Sequence, residues 1–240
     1  MQWDDYDAAL FDLDGVLTPT AEVHMRAWDR MFNDYLAERS ASESAEPYTS
    51  ADYFAHVDGK PRFDGVRTFL ASRGIELPEG STDDAPDAET IGGLGNRKNA
   101  VFAAILEEEG VDPYPASVRL LDHLDTRGTA VAVVSSSRNA PVVLAAAGLA
   151  DRFEIVVDGE VAAREGLEGK PSPATYLHAA RLLGVDAGRS VVLEDALSGV
   201  ASGRAGDFGL VVGVDRGAGR DALFEGGADI VVAELDELIP

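Results

Sequence analysis

"ALFDLDGVLTPT" (residues 9–20) closes a short apolar run on two aspartates, Asp12 and Asp14, then continues through Gly15 into a tract of hydroxyl residues. A carboxylate resists leaving water unless it is paired or bound to a metal, so two of them at the end of a buried strand need partners from elsewhere in the chain. In an extended backbone, residues i and i+2 lie on the same side, and both aspartates can address one reacting centre. Gly15 is free to take a turn closed to other residues. Neighbouring carboxylates push one pKa upward, which suits a division into nucleophile and general acid/base.

Outward from residues 9–20 the chain changes character twice. Residues 8–11 read as a buried strand, and a helix is expected from about Ala21 to Ala37, where Val23, Ala27, Met31 and Tyr35 recur every three or four residues. "SASESAEPYTSA" (40–51) reads as a loop, "FDGVRTFLASRG" (63–74) as a short helix, "LPEGSTDDAPDAET" (77–90) as a second loop and 90–109 as another helix. From Pro115, helices over 117–128, 140–149, 172–184 and 196–206 are interleaved with apolar strands at 129–137, 153–159, 190–195 and 209–215, with a last strand at 228–235. Strands that lack internal alternation and are spaced by helices argue for parallel βαβ units. The expected fold is α/β: a doubly wound, Rossmann-like parallel sheet formed by residues 1–19 and 113–240. A helical cap domain, residues 20–112, is inserted after the first strand.

The 240 residues are 45% hydrophobic and 26% charged, the composition of an ordinary globular protein. No apolar run approaches the ~18 residues that cross a bilayer, and "MQWDDYD" has neither the basic nor the apolar region of a secretory leader, so a cytoplasmic protein is expected. The absence of cysteine excludes disulfides and thiolate chemistry. A net charge of −23 repels nucleic acid and anionic membranes, and neither is expected as a partner.

In open α/β sheets, ligands bind beyond the carboxyl ends of the strands. Those ends carry Asp12 and Asp14, Ser135, and Glu194 with Asp195, while Lys170 precedes the helix near "PSP". So many acids on one rim need a hard cation, and oxygen-only ligation points to Mg²⁺ rather than zinc. A serine and a lysine beside such a metal are suitable donors to phosphoryl oxygens. Nucleotide loops fit poorly: "EGLEGKP" has Arg164 and Pro171 where a P-loop needs glycine and Ser/Thr, and "GGLGNR" follows no strand.

Taken together, "FDLDGVLT", the hydroxyl in "VVSSSRN", the lysine in "GKPSP" and the acids in "VVLEDALSGV" resemble the haloacid dehalogenase superfamily of phosphotransferases over nearly the whole chain. The resemblance implies that Asp12 attacks phosphorus to form an aspartyl-phosphate. Asp14 would donate and remove protons and lend its backbone carbonyl to Mg²⁺, and Ser135 and Lys170 would hold the transferring phosphate. Asp195 would ligate the metal with Asp12, and Glu194 would lie nearby or act through water.

"TPTAEVHMRAW" (18–28) resembles the β-phosphoglucomutase-like subgroup, although Pro19 stands where relatives often carry aspartate. That likeness makes Thr20 and His24 candidates for controlling Asp14 and the phosphate acceptor. It also implies that Arg62 in "GKPRFD" grips the non-transferring phosphate, that Lys98 in "LGNRKN" reaches the site, and that Ser136, Ser137, Arg138 and Asn139 lie near that phosphate. His56, His123 and His178 read as packed or solvated histidines, and Lys60 as solvent-facing. The expected protein is a monomeric, Mg²⁺-dependent mutase converting β-glucose 1-phosphate to glucose 6-phosphate under a cap that excludes water. A sugar-phosphate phosphatase would use the same residues with water as acceptor. A phospho-aspartate receiver domain fits less well, because it needs neither the second aspartate nor a cap.

Overall fold

A computed structural model describes residues 1–39, 46–58 and 60–240. Part of the loop expected at 40–51, residues 40–45, lies outside the described residues, as does Gly59 of "GKPRFD". The chain divides into two compact units, Met1–Thr20 with Val111–Pro240, and Ala21–Gly110.

The first unit is built on six strands: β1 (Ala8–Phe11), β2 (Ala130–Val134), β3 (Ile155–Val157), β4 (Ser190–Glu194), β5 (Leu210–Val214) and β6 (Ile230–Val232). They form one parallel sheet in the order β3-β2-β1-β4-β5-β6. The strand order reverses beside β1, which puts the aspartate-bearing strand at the switch point where such sheets bind ligands. Phe11 is in register with both Val133 and Leu193, so Asp12 and Glu194 leave the sheet at the same level of its carboxyl edge. β1 and β4 are buried along their whole length. Helices cover both faces of a parallel sheet, which is why these strands read as unbroken apolar runs. Leu10, Val134, Val192, Val211, Tyr176 and Phe208 belong to this core.

In chain order the helices of the second unit are α1 (Thr20–Arg39), α2 (Ser50–Asp52) running into a wide turn over Tyr53–Val57, α3 (Arg62–Ser72) and α4 (Ile91–Glu109). Thr49 starts α2 by a reciprocal cap with Asp52. Trp28, Phe32, Tyr35, Tyr48 and Phe69 fill the core of this unit, with the Phe32 and Phe69 rings 4.1 Å apart. The glycines of "GGLGNR" serve packing: a Cβ on Gly92 would lie 1.9 Å from the Ser81 carbonyl oxygen, so glycine lets α4 press against the 77–90 loop.

The helices of the first unit are α5 (Pro115–Arg127), α6 (Ala140–Ala146), α7 (Gly159–Glu165), α8 (Ala174–Leu183), α9 (Leu197–Ala205) and α10 (Arg220–Glu225). The sequence reading does not anticipate α7 or α10. Both are about two turns or shorter and too brief to show an apolar period. α7 is started instead by Asp158, whose carboxylate accepts from the Glu160 and Val161 N–H groups at 3.0 and 2.8 Å. Among the described residues, no helix is long and apolar enough to cross a membrane.

Candidate active site

Asp12 is the first residue beyond β1, and its N–H still donates to the Leu193 carbonyl at 2.9 Å, so the sheet itself aims the side chain. That side chain is buried, as are Lys170 and Glu194. The Lys170 ammonium donates to Asp12 Oδ1 at 2.5 Å, to the Val134 carbonyl at 3.1 Å and to Glu194 Oε1. All three of its protons are thereby used. The Tyr176 hydroxyl donates to the same Glu194 Oε1 at 3.1 Å, and its ring centroid lies 5.0 Å from Nζ. The Ala196 N–H closes the cluster by donating to Glu194 Oε2 at 3.0 Å.

Burial pushes the Asp12 carboxyl well above its ordinary range. Lys170 pulls it down, and Glu194 and Asp14 push it further up. Burial opposes the charge on Lys170, yet the Asp12 and Glu194 carboxylates outweigh it and raise the ammonium pKa. Three carboxyl groups, those of Asp12, Glu194 and Asp195, face the single ammonium of Lys170. Oxygens of Asp12, Glu194 and Asp195 all lie within 4.8 Å of one another. A compact set of carboxyl groups around one ammonium fits a hard divalent cation.

Asp14 sits on a tight turn. Gly15 has φ +85°, its N–H donates to the Thr18 carbonyl at 2.8 Å, and the Thr18 N–H returns to the Leu13 carbonyl at 3.0 Å. The Thr20 hydroxyl donates to Asp14 Oδ1 and lies 2.7 Å from the buried Thr18 hydroxyl. With the single Thr20 proton committed to Asp14, the Thr18 hydroxyl proton is shared between the Thr20 oxygen and the Leu13 carbonyl, 3.4 Å away, and the paired hydroxyls orient the carboxylate. Thr18 escapes sequence reasoning because its only signal is membership of a hydroxyl tract.

Ser135 is buried just past β2, with its N–H on the Val157 carbonyl at 3.0 Å. Its Oγ accepts from the Ser137 N–H, and Ser137 Oγ accepts from the Asn139 N–H, each at 3.1 Å. These two turns shape the Ser135–Asn139 run ahead of α6. Ser136 and Ser137 are half-buried within it, and Arg138 is exposed.

The second unit carries the remaining candidates. Lys98 on α4 is buried and bonded through Nζ to His24 Nδ1 on α1. An ammonium has no acceptor, so Nδ1 accepts and the imidazole proton sits on Nε2. The His24 ring stacks on Phe102 at 4.1 Å, and Nζ lies 5.1 and 4.9 Å from the Trp28 and Phe102 ring centroids. Arg62, the first residue of α3, donates to Asn96 Oδ1 at 3.2 Å. The Asn96 amide in turn donates to the Thr82 and Asp84 carbonyls at 2.9 and 2.8 Å, tying Arg62 to the 77–90 loop. Lys60, expected in solvent, is half-buried and donates to the His56 carbonyl at 3.0 Å. The first unit thus joins Asp12, Lys170, Glu194 and Asp195 in one cluster and Thr20 to Asp14, and the second pairs His24 with Lys98.

The family model of the haloacid dehalogenase-like hydrolases matches residues 6–207. The β-phosphoglucomutase of Mycobacterium tuberculosis (strain CDC 1551 / Oshkosh) is 52% identical over 240 residues, covering 97% of this chain and 91% of its own. Hexitol phosphatase A of Escherichia coli (strain K12) is 31% identical over 231 residues, covering 95% and 91%. In fold, the chain is similar to the crystal structure of β-phosphoglucomutase from Clostridium difficile, with a TM-score of 0.78 at 22% identity and coverage of 97% and 93%.

Proposed function

The chain is an enzyme of the haloacid dehalogenase-like hydrolase family, in its β-phosphoglucomutase-like subgroup, and from that premise we propose that it interconverts β-glucose 1-phosphate and glucose 6-phosphate. The observation that carries this reading is the buried Asp12–Lys170–Glu194 cluster, with a second, hydroxyl-held aspartate two residues beyond the first.

In the proposed reaction Asp12 already carries a phosphoryl group, taken from a trace of the 1,6-bisphosphate; the 6-hydroxyl of β-glucose 1-phosphate attacks that phosphorus, the bond from phosphorus to the Asp12 oxygen breaks, and Asp14 removes the hydroxyl's proton. The β-glucose 1,6-bisphosphate so formed turns round, the Asp12 oxygen attacks the phosphorus on O1, the bond from phosphorus to O1 breaks, and Asp14 returns the proton to O1, which leaves glucose 6-phosphate and a phosphorylated Asp12. Lys170, turning one N–H away from its present acceptors, and Ser135 hold the transferring phosphoryl oxygens, and the Ser136–Asn139 run serves the other phosphate. The carboxylates of Asp12, Glu194 and Asp195 and the Asp14 carbonyl would hold Mg²⁺. When bound, the ion offsets the negative charge of these carboxylates and polarises the phosphoryl group. Arg62 recognises the non-transferring phosphate. His24, whose Nδ1 is spent on Lys98, offers its Nε2–H to the acceptor.

A phosphatase is the second reading, favoured by the likeness to hexitol phosphatase A. A coupled assay with glucose-6-phosphate dehydrogenase separates the two, using β-glucose 1-phosphate, Mg²⁺ and a trace of glucose 1,6-bisphosphate with free phosphate followed in parallel. Glucose 6-phosphate formed without matching phosphate release, and abolished by Asp12→Asn, is the expected result. Phosphate release without isomerisation would overturn the mutase.

A further inference from the structure

Gly15, between Asp14 and the return of the chain at Thr18, is held from three directions. Its N–H is taken by the Thr18 carbonyl at 2.8 Å, which fixes the plane of the Asp14–Gly15 peptide and hence the direction of the Asp14 carbonyl. Its Cα lies against Asp195 so closely that a Cβ would be 1.9 Å from Oδ2. Its carbonyl accepts from Arg216 Nε at 3.0 Å, across 201 residues of chain.

Arg216 itself has little freedom. Its other two nitrogens pair with both oxygens of Glu234 at 2.9 and 3.2 Å, and its guanidinium carbon lies 4.0 Å from the Tyr114 ring centroid. The ion pair fixes the plane of the guanidinium and the ring supports its face, so Nε points in one direction. A planar fork can make all of these contacts together, and a lysine ammonium cannot reproduce the set.

We propose that Arg216 is a positioning residue for the metal centre. By clamping the Gly15 carbonyl it locks the turn that sets the Asp14 carbonyl and the Asp195 carboxylate at a fixed separation. This rests on the reading of those two groups as Mg²⁺ ligands. The Arg216 nitrogens are committed to the Gly15 carbonyl and to Glu234, and the Asp195 carboxylate adds a coulombic pull on the guanidinium. It acts through Gly15. Loss of supporting contacts of this kind typically weakens metal binding by 10–100-fold.

The test is Mg²⁺ binding to the full-length protein by isothermal titration calorimetry, with no substrate present, together with melting temperature, kcat and KM. Arg216→Met is expected to raise the Mg²⁺ Kd at least about tenfold and lower kcat at saturating substrate, with KM for the sugar phosphate nearly unchanged. Arg216→Lys is expected to fall between Met and wild type. Arg189→Met, which removes a comparable bidentate surface pair with Asp7, is the control and should leave the Mg²⁺ Kd unchanged. If Arg216→Met does not fold, Glu234→Gln loosens the guanidinium while keeping it, and a severalfold rise in Kd is then expected. A wild-type Kd in the folded Arg216 variants, or in Glu234→Gln where that variant stands in, overturns the inference. So does a loss matched by Arg189→Met at equal loss of melting temperature. Failure of the wild type to bind Mg²⁺, or retention of its affinity in Asp195→Asn, overturns instead the metal-site reading on which the inference rests.

Discussion

Lys170→Met removes the only ammonium in the Asp12–Glu194 cluster while keeping a side chain of similar length. Glu194 retains the Tyr176 hydroxyl and the Ala196 N–H as donors, but Asp12 loses its 2.5 Å contact and both carboxylates stay buried. Breaking a buried ion pair by deleting one partner costs about 3–5 kcal/mol, because the remaining charge is left uncompensated. With a urea m-value of about 2 kcal/mol/M, that is a fall of roughly 1.5–2.5 M in the unfolding midpoint. The two tryptophans make the measurement specific to one unit: Trp3 belongs to the first and Trp28 to the second, and both are buried. Urea unfolding in chelator, followed by Trp3 fluorescence in a Trp28→Phe background, reads the unit that holds the cluster. Adding Asp12→Asn to Lys170→Met should restore about 1–3 kcal/mol, since the partner left charged is then neutral. A loss below about 1 kcal/mol, or no recovery in the double variant, would refute the view that Lys170 serves as the counter-charge of the site.

Three further outcomes follow from the same geometry. Thr20→Val removes the donor to Asp14 and should lower kcat about tenfold to a hundredfold with KM nearly unchanged, and Thr20→Ser should recover most of it; steady-state kinetics in the coupled assay decides this. Asn96→Ala cuts the tie between Arg62 and the 77–90 loop and should raise KM for the sugar phosphate about tenfold with little change in kcat, whereas a fall confined to kcat would contradict a binding role for Arg62. Burial works against the Asp52 charge, but its bonds to Thr49 and Arg73 outweigh burial and hold the carboxyl below its usual 3.8. The folded state therefore binds fewer protons there, and the stabilisation is present above that value and lost as pH falls through the lower, folded pKa. Asp52→Asn should accordingly cost about 1 kcal/mol at pH 7 and progressively less toward pH 3, read by Trp28 fluorescence in a Trp3→Phe background.

The sequence alone determined the features that are local or strongly patterned. Unbroken apolar segments between amphipathic helices specify parallel strands, because burial on both faces removes alternation. Aspartates placed directly after such a strand must lie at its carboxyl edge, and Ser135 and Glu194 follow by the same rule. Tertiary structure decided which of these groups meet. Lys170 reaches Asp12 across 158 residues and Glu194 across 24, and only the order β2-β1-β4 puts both carboxylates beside one amine. It also decided that the glycines of "GGLGNR" are packing surfaces rather than a phosphate cradle, since Gly92 and Gly93 press on the 77–90 loop and Gly95 on Phe63 of α3, contacts that no local pattern specifies. Thr18, Tyr176 and Arg216 were invisible in the sequence for a related reason. A hydroxyl or a guanidinium has no fixed role of its own until the fold supplies the single acceptor it reaches, and for Arg216 that acceptor is the carbonyl of a glycine 201 residues away.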